Sequence, residues 1–166
     1  REDCVFAGLQ HLFPGEVFRI VTRLDKDTEG LMLITKNALA HSILNESNII
    51  KKYTALLVGD VENDVIIDAP IARADDIKRN VAPDGKPAQT VLKVLNRYGN
   101  QTEVELELLT GRTHQIRVHT AHIGHPIVGD TLYGGAQGEY NSGQKLKCTF
   151  LSFFHPFTKN KITVKL

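Results

Sequence analysis

Regular alternation of apolar and acidic residues marks the most distinct element of the chain, the segment QTEVELELL at 101–109. Three apolar side chains alternate there with three acidic ones: Val104, Leu106 and Leu108 with Glu103, Glu105 and Glu107. A period of two residues predicts a half-buried antiparallel strand. The preceding β-rich run ends at Gly99-Asn100, so the two segments together predict a β-hairpin.

Shorter runs of apolar and β-branched residues predict the other elements. Strands are predicted over 31–36, 51–61, 66–70, 146–156 and 161–166, and helices over 37–47 and 114–124. Glycines, prolines and aspartates between 72 and 87 predict loops and turns there. The sum is an α+β fold, a mixed and mostly antiparallel sheet with flanking helices and loops.

The composition limits the class of protein. The chain has 166 residues, 42% of them apolar, which suits a single domain over 1–166 with a substantial core. Its two cysteines exclude a disulfide framework, and no apolar run reaches the roughly 18 residues that cross a bilayer. The first residues lack the features of a signal peptide, so a cytoplasmic protein is predicted, with a monomer as the expected state. Because the chain starts at Arg1 and its one methionine is Met32, we expect a fragment that lacks an N-terminal segment.

The segment RLDKDTEG at 23–30 concentrates residues that can carry chemistry. It places Asp25 between Arg23 and Lys26, and neighbouring cations favour the ionised carboxylate that a nucleophile needs. Two other interpretations stay open. One is a pair of acids that binds a metal or acts as acid and base, and the other is a polar loop before a strand.

The segment GRTHQIRVHTAHIGHP at 111–126 carries Arg112, Arg117 and four histidines without an acidic residue. The three-residue spacing of its last three histidines makes a zinc site one hypothesis. No Cys, Asp or Glu in the segment completes a tetrahedral set, so no metal is predicted. A cationic surface that binds phosphate is the alternative.

A tyrosine lies near the start of the strand predicted over 51–61. Tyr53 follows Lys51 and Lys52, and on residue type alone it is a partly buried surface aromatic. The functional interpretation is a platform on which a base stacks, with one of the lysines near a phosphate.

Taken together, these segments resemble the RluA-type pseudouridine synthases over about residues 18–166. RLDKDTEGLMLITKN resembles that family's H-R-L-D-x-x-T-S-G-L motif, and LTGRTHQIRVHTAHIGHPIVGDTLYG its most recognisable stretch. KKYTALLVGDV resembles its K-x-Y strand, APIARADDIKRNVAPDGKPAQT its G-K-x-A-x-T loop, and LKCTFLSFFHPFT its closing L-x-F-x-H-P signature. The common order of these motifs makes the resemblance specific.

The resemblance implies the pseudouridine synthase fold and an isomerase that acts on uridines in RNA without cofactor or metal. It implies Asp25 as the nucleophile, Arg117 as its ionic partner, and Tyr53 against the target base, with a late role in removing the carbon 5 proton. The residues leave three routes open for Asp25: addition to carbon 6 of the base, attack on carbon 1 of the ribose, or proton removal from the sugar. Further residues are expected to bind the substrate RNA: Arg23, Lys51, Lys52, Arg112, His114 and Ile116.

Two departures from the family motif bear on the substrate. Thr22 stands where the family commonly has His, and Glu29 replaces the Ser of T-S-G, as in the related RsuA-type enzymes. Ribosomal RNA is the expected substrate, with transfer RNA as the alternative. A non-catalytic RNA-binding module on the same scaffold is the second hypothesis for function, and a histidine–metal hydrolase is the third.

The net charge of +1 conceals an uneven distribution. Acidic residues are absent from 111–126 and after Glu139, where five lysines follow, whereas glutamates gather at 103–107. We therefore predict a segregated surface whose basic part surrounds the Asp25 cleft. Lys78, Arg79 and Lys86 are further candidates for contact with phosphates.

Overall fold

The computed structural model describes residues 4–134 and 143–166. The helices are α1 (Val5–Leu12), α2 (Ala38–Glu46) and α3 (Gln115–His122). The strands are β1 (Arg19–Ile20), β2 (Glu29–Gly30), β3 (Ile34–Thr35), β4 (Ile50–Val58), β5 (Val65–Asp68), β6 (Ile71–Arg73), β7 (Arg79–Val81), β8 (Gln89–Tyr98), β9 (Gln101–Leu108), β10 (Leu146–Phe154) and β11 (Lys161–Lys165).

Antiparallel pairing dominates the sheet. Among the described residues, the large sheet runs in the order β11–β10–β4–β9–β8–β5, and each neighbouring pair is antiparallel. β2 joins the edge of β10 in parallel, and β1 with β3 and β6 with β7 form small antiparallel pairs. The mixed sheet with flanking helices confirms the predicted α+β fold.

One face of the sheet carries the core. Leu57 from β4, Leu92 from β8 and Leu106 from β9 have no exposed surface, and Ile116 of α3 packs against the same cluster. The three glutamates of β9 are partly exposed and alternate with its buried residues, as predicted. We call their side of the sheet the outer face. The covered face is therefore where α3 and the loops can build an enclosed site.

The predicted hairpin and helices are confirmed. β8 and β9 pair across the Gly99-Asn100 turn, where Gly99 has a φ of 59°, and α2 and α3 lie within the predicted helical segments. The strand predicted over 31–36 is wrong in extent, because its middle pairs with β1 at Ile34–Thr35 alone and is only half buried. No helix in the described part of the chain is long and apolar enough to cross a membrane.

The loop predicted over 72–87 contains a small hairpin instead. β6 and β7 pair on either side of a turn in which the Asp75 carboxylate accepts hydrogen bonds from the backbone N–H groups of Ile77 and Lys78. Strands of three residues are too short to show an alternating pattern in the sequence. The signal for this hairpin is instead the turn capped by the Asp75 carboxylate.

Candidate active site

A cavity of about 470 Å³ opens on the covered side of the sheet. This volume lies within the range of about 300–1,000 Å³ that is usual for small-ligand sites. The cavity collects most of the predicted site residues in its lining: Arg23, Asp25, Lys51, Tyr53, Arg112, His114 and Ile116. Of the described residues that line it, Asp25 alone is acidic. Segments far apart in sequence thus meet around one carboxylate.

A tight turn holds Asp25. The N–H of Thr28 donates to the Asp25 carbonyl oxygen at 3.0 Å, and Asp27 takes a φ of 67°, a conformation that Asp tolerates better than most residues. Gln144 crosses over the turn, and its Nε2 donates to the carbonyl of Lys26 and to the Thr28 hydroxyl, both at 2.9 Å. The carboxylate therefore projects from a backbone that is fixed at both ends of the turn.

Gly30 ties this turn to the sheet. β2 pairs with β10 at Cys148, and the Leu31 N–H donates to the Cys148 carbonyl at 2.9 Å. Gly30 has a φ of 112°, and a Cβ atom there would overlap the Cys148 carbonyl oxygen. Cys148 is in turn the strand partner of Tyr53, next to a register shift in β10. This close approach sets the spacing between the Asp25 turn and Tyr53.

Substitution of Gly30 tests this spacing. We expect Gly30→Ala to lower the free energy of unfolding by more than about 2 kcal/mol, because both the backbone conformation and the overlap with Cys148 are unfavourable. Gly99→Ala is the matched control, since Gly99 also has a positive φ but nothing within 4 Å of an added Cβ, and it should cost about 1 kcal/mol. Chemical denaturation measures both; equal losses would contradict the proposed contact.

Alternation along β4 separates the two lysines. Lys51 and Tyr53 line the cavity, and burial lowers the pKa of Lys51 and raises the pKa of Tyr53. Lys52 has the opposite orientation, and its Nζ lies 2.9 Å from Glu105 and 3.6 Å from Glu107 on the outer face. The structure therefore does not bring Lys52 to the cavity, because adjacent residues of a strand point to opposite faces.

Arg117 stands between two carboxylates. Its Nε and Nη2 donate to Asp130 at 2.7 and 2.9 Å in a bidentate pair, while its Nη1 lies 3.9 Å from Oδ2 of Asp25. Asp130 is fully buried and Arg117 nearly so, whereas Asp25 is partly exposed to the cavity. Burial disfavours the Arg117 charge, but Asp130 and then Asp25 outweigh this effect and raise its pKa. A permanent cation is thus held beside Asp25.

A side-chain amide shapes the loop that precedes α3. The Gln115 Oε1 accepts from the Arg112 N–H and the Thr110 hydroxyl, and its Nε2 donates to Thr90 and to the backbone of Gln89. His114 has a left-handed φ of 56° at the N-cap, and its ring lines the cavity. The Arg112 Nε donates to the Pro87 carbonyl, which anchors an otherwise exposed guanidinium at the rim.

The histidine spacing that suggested zinc has another explanation. Both ring nitrogens of His119 are engaged, with the Thr90 hydroxyl and with the Ala69 carbonyl, each at 2.9 Å. Nδ1 of His125 is engaged with the Val58 carbonyl, and His122 is exposed. Among the described residues, no group of three or more His, Cys, Asp or Glu side chains is arranged to hold a metal ion.

The two departures from the family motif lie in different places: Thr22 is in the lining of the cavity, and Glu29 is on the other side of the sheet. Thr22 is buried, and its hydroxyl and N–H pair with the backbone N–H and carbonyl of Leu33, so it supports the segment that leads to Asp25. Glu29 lines a different groove, with Thr54 and Glu103 on the outer face. Glu29 therefore lies apart from the Asp25 carboxylate, whereas Thr22 shares its cavity.

This geometry agrees with the comparison to known families. The sequence model of the family described as RNA pseudouridylate synthase matches residues 8–122, which include Asp25, Tyr53 and Arg117. The chain belongs to this family. Within the pseudouridylate synthases it is 45% identical, over 86% of its length and 53% of the relative, to the Uncharacterized RNA pseudouridine synthase YjbO of Bacillus subtilis. It is 39% identical, over 95% of its length and 55% of the relative, to the Ribosomal large subunit pseudouridine synthase D of Escherichia coli.

Solved structures of pseudouridylate synthases share the fold. The Human RNA Pseudouridylate Synthase Domain Containing 1 superposes with a TM-score of 0.85 at 29% identity, over 100% of this chain and 75% of that chain. The Human RNA Pseudouridylate Synthase Domain Containing 4 does so with a TM-score of 0.81 at 22% identity, over 100% and 79%. The chain spans about half the length of the curated relatives it matches.

Several residues that build the site were not predicted from the sequence: Gln115, Asp130, Tyr133 and Gln144. One signal for Asp130 was present, because 111–126 contains Arg117 but no acid. A buried arginine needs a carboxylate partner, so an acid from a neighbouring segment was required. No comparable signal marks Gln144, which acts from a segment 116 residues from Thr28.

Proposed function

We propose that this protein is an RNA pseudouridine synthase that uses Asp25 as its nucleophile on uridines of large-subunit ribosomal RNA. The observation that carries the proposal is the Asp25 carboxylate in a cavity, 3.9 Å from the Arg117 guanidinium, in a chain of this family. The reaction breaks the bond between N1 of uracil and carbon 1 of ribose and forms a bond from carbon 5. A proton leaves carbon 5 and N1 gains one, so the base is isomerised without a co-reactant.

Arg117 prepares Asp25 for this reaction. The guanidinium lies beside the carboxylate and complements its negative charge, and the carboxylate is the group that attacks or removes a proton. Because Asp130 holds Arg117 by two hydrogen bonds, the cation keeps its place when Asp25 moves toward the substrate. Addition to carbon 6, attack on the ribose and proton removal from the sugar all use this carboxylate.

Tyr53 and Ile116 supply the apolar surface for the base. Both are nearly buried and line the cavity with Asp25. Burial, and the nearby Asp25 carboxylate, raise the pKa of Tyr53, so its hydroxyl stays protonated in the free protein. We propose that Tyr53 contacts the flipped uracil and takes part late in the removal of the carbon 5 proton.

A second, basic groove continues from the cavity. Its volume is about 560 Å³, and it shares Gly111, Arg112 and Thr113 with the cavity. Its cationic side chains come from three segments: Arg73, Arg79, Lys86 and Arg112. We propose that this groove is part of the basic surface around the Asp25 cleft, on the side of the sheet opposite the glutamates of β9. A strand of RNA that places one base in the cavity can lay its phosphates along this groove.

Lys51 and Lys52 form a matched pair for testing the RNA path. We expect Lys51→Gln to weaken RNA binding severalfold, because Lys51 lines the cavity. The slope of the logarithm of the binding constant against the logarithm of salt concentration should also fall by about one, the value for one phosphate contact. Lys52→Gln should leave both unchanged, because its ammonium is paired with Glu105 and Glu107 on the outer face. Titration of each variant with an RNA fragment at several salt concentrations measures both the affinity and its dependence on salt. Equal weakening by both variants would place the RNA elsewhere.

The substrate itself is tested in cells. Mapping of pseudouridine in total RNA, with and without the gene, is expected to show loss at one or more positions of large-subunit ribosomal RNA. Loss in transfer RNA instead would support the alternative substrate. An unchanged map, with RNA binding intact, would favour a non-catalytic RNA-binding module. The cytoplasmic location and the monomeric state remain predictions.

A further inference from the structure

Tyr133 connects three parts of the site without lining the cavity. Its hydroxyl lies 2.8 Å from Nδ1 of His114 and accepts the N–H of Arg79 at 2.9 Å. Its ring lies 5.0 Å from the Arg117 guanidinium carbon. One side chain thus contacts the cavity wall, the β6–β7 hairpin of the basic groove, and the cation that faces Asp25.

The hydrogen bonds at this hydroxyl favour one arrangement of the protons. Because the oxygen already accepts the Arg79 N–H, its own proton is free to point at Nδ1 of His114. Nδ1 is then an acceptor, and a neutral imidazole carries its proton on Nε2. Burial lowers the pKa of His114 despite the nearby Asp25, which agrees with a neutral ring.

We propose that Tyr133 is a positioning residue that holds His114 as the Nε2–H tautomer and braces the Arg117 guanidinium. His114 then donates a hydrogen bond from Nε2 into the cavity, to an acceptor oxygen of the bound nucleotide. The ring of Tyr133 restrains Arg117 from the side by a cation–π contact. The role at the nucleotide rests on the proposed function, whereas the tautomer is a property of the free protein.

The tautomer is measured first, by nitrogen-15 NMR of the histidine rings in the substrate-free protein. We expect an unprotonated Nδ1 and a protonated Nε2 for His114, and a mixture of tautomers in Tyr133→Phe, which keeps the ring but loses the donor. A protonated Nδ1 in the wild type, or the same tautomer in Tyr133→Phe, would overturn the proposal. This outcome does not depend on whether the protein has synthase activity.

Kinetics then test the connection to the substrate. Tyr133→Phe should lower kcat/KM about three- to tenfold, because His114 loses the hydrogen bond that holds its tautomer. In a His114→Ala background the same change should have no further effect, because Tyr133 acts through His114. Tyr98→Phe is the control, since the Tyr98 hydroxyl donates to Glu103 on the outer face. Additive effects of the Tyr133 and His114 changes would show that the hydroxyl acts on the substrate by another route.

Discussion

Asp130→Ala is expected to lower the free energy of unfolding by about 3–5 kcal/mol, because it leaves the Arg117 cation buried without its bidentate partner. The loss should be visible as a lower denaturation midpoint. Pseudouridine formation should also fall, even at temperatures where the variant is folded. Without Asp130 the guanidinium no longer has a fixed position next to Asp25, because its remaining contact with the Asp25 Oδ2, at 3.9 Å, is long.

A surface pair of the same chemistry provides the control for Asp130. Arg97 Nε lies 2.8 Å from Asp60, nearly the distance of the buried pair, but Asp60 is 62% exposed. Asp60→Ala should therefore cost less than about 1 kcal/mol. The double variant Arg117→Met with Asp130→Asn removes both charges and keeps an oxygen for the backbone N–H groups of Leu132 and Tyr133. It should recover stability without activity; recovery of activity would show that Arg117 is dispensable.

Asp25→Asn is expected to reduce the rate of pseudouridine formation by at least about a thousandfold, since an amide is neither a nucleophile nor a base of comparable strength. The fold should persist, because the Asp25 side chain is 29% exposed and its ionic contact is long. We expect the free energy of unfolding to change by less than about 1 kcal/mol. RNA affinity should stay within a few fold of the wild type.

Asp27→Asn is the matched control for Asp25. Asp27 lies in the same turn but does not line the cavity, and Asn tolerates its left-handed backbone as well as Asp does. This variant should keep both stability and activity. A similar loss in the two variants would mean that the turn, rather than the Asp25 carboxylate, is what the reaction requires.

The sequence predicts the sheet well and the ionic network poorly, for a physical reason. Alternation in β9 is a local pattern that reports burial directly, so the β8–β9 hairpin and its acidic outer face are evident from the residues alone. The position of Lys52 follows the same rule, because its ammonium lies with Glu105 on the outer face. The prediction that Lys52 contacts RNA rests on its charge and takes no account of the face of the strand on which it lies. Strand alternation would have separated it from Lys51.

The network around Arg117 depends instead on contacts between distant segments. The resemblance implies a partnership of Arg117 with Asp25, and the structure has both in contact, but it gives Arg117 a closer partner in Asp130. Which acid receives a buried guanidinium is decided by packing of α3 against the segment that follows it, which carries Asp130, and no local pattern encodes that choice. The small strands β6 and β7 were missed similarly, since they owe their pairing to a side-chain-capped turn.

Release of tritium from carbon 5 of uridine tests whether the Asp25 cavity isomerises uridine in RNA. The substrate is large-subunit ribosomal RNA transcribed with uridine labelled at that position, because formation of the new carbon–carbon bond expels that hydrogen. The wild type and Asp27→Asn should release tritium in proportion to pseudouridine formed, and Asp25→Asn should release none above background. Release by Asp25→Asn at a rate near that of the wild type would show that the reaction does not require the Asp25 carboxylate.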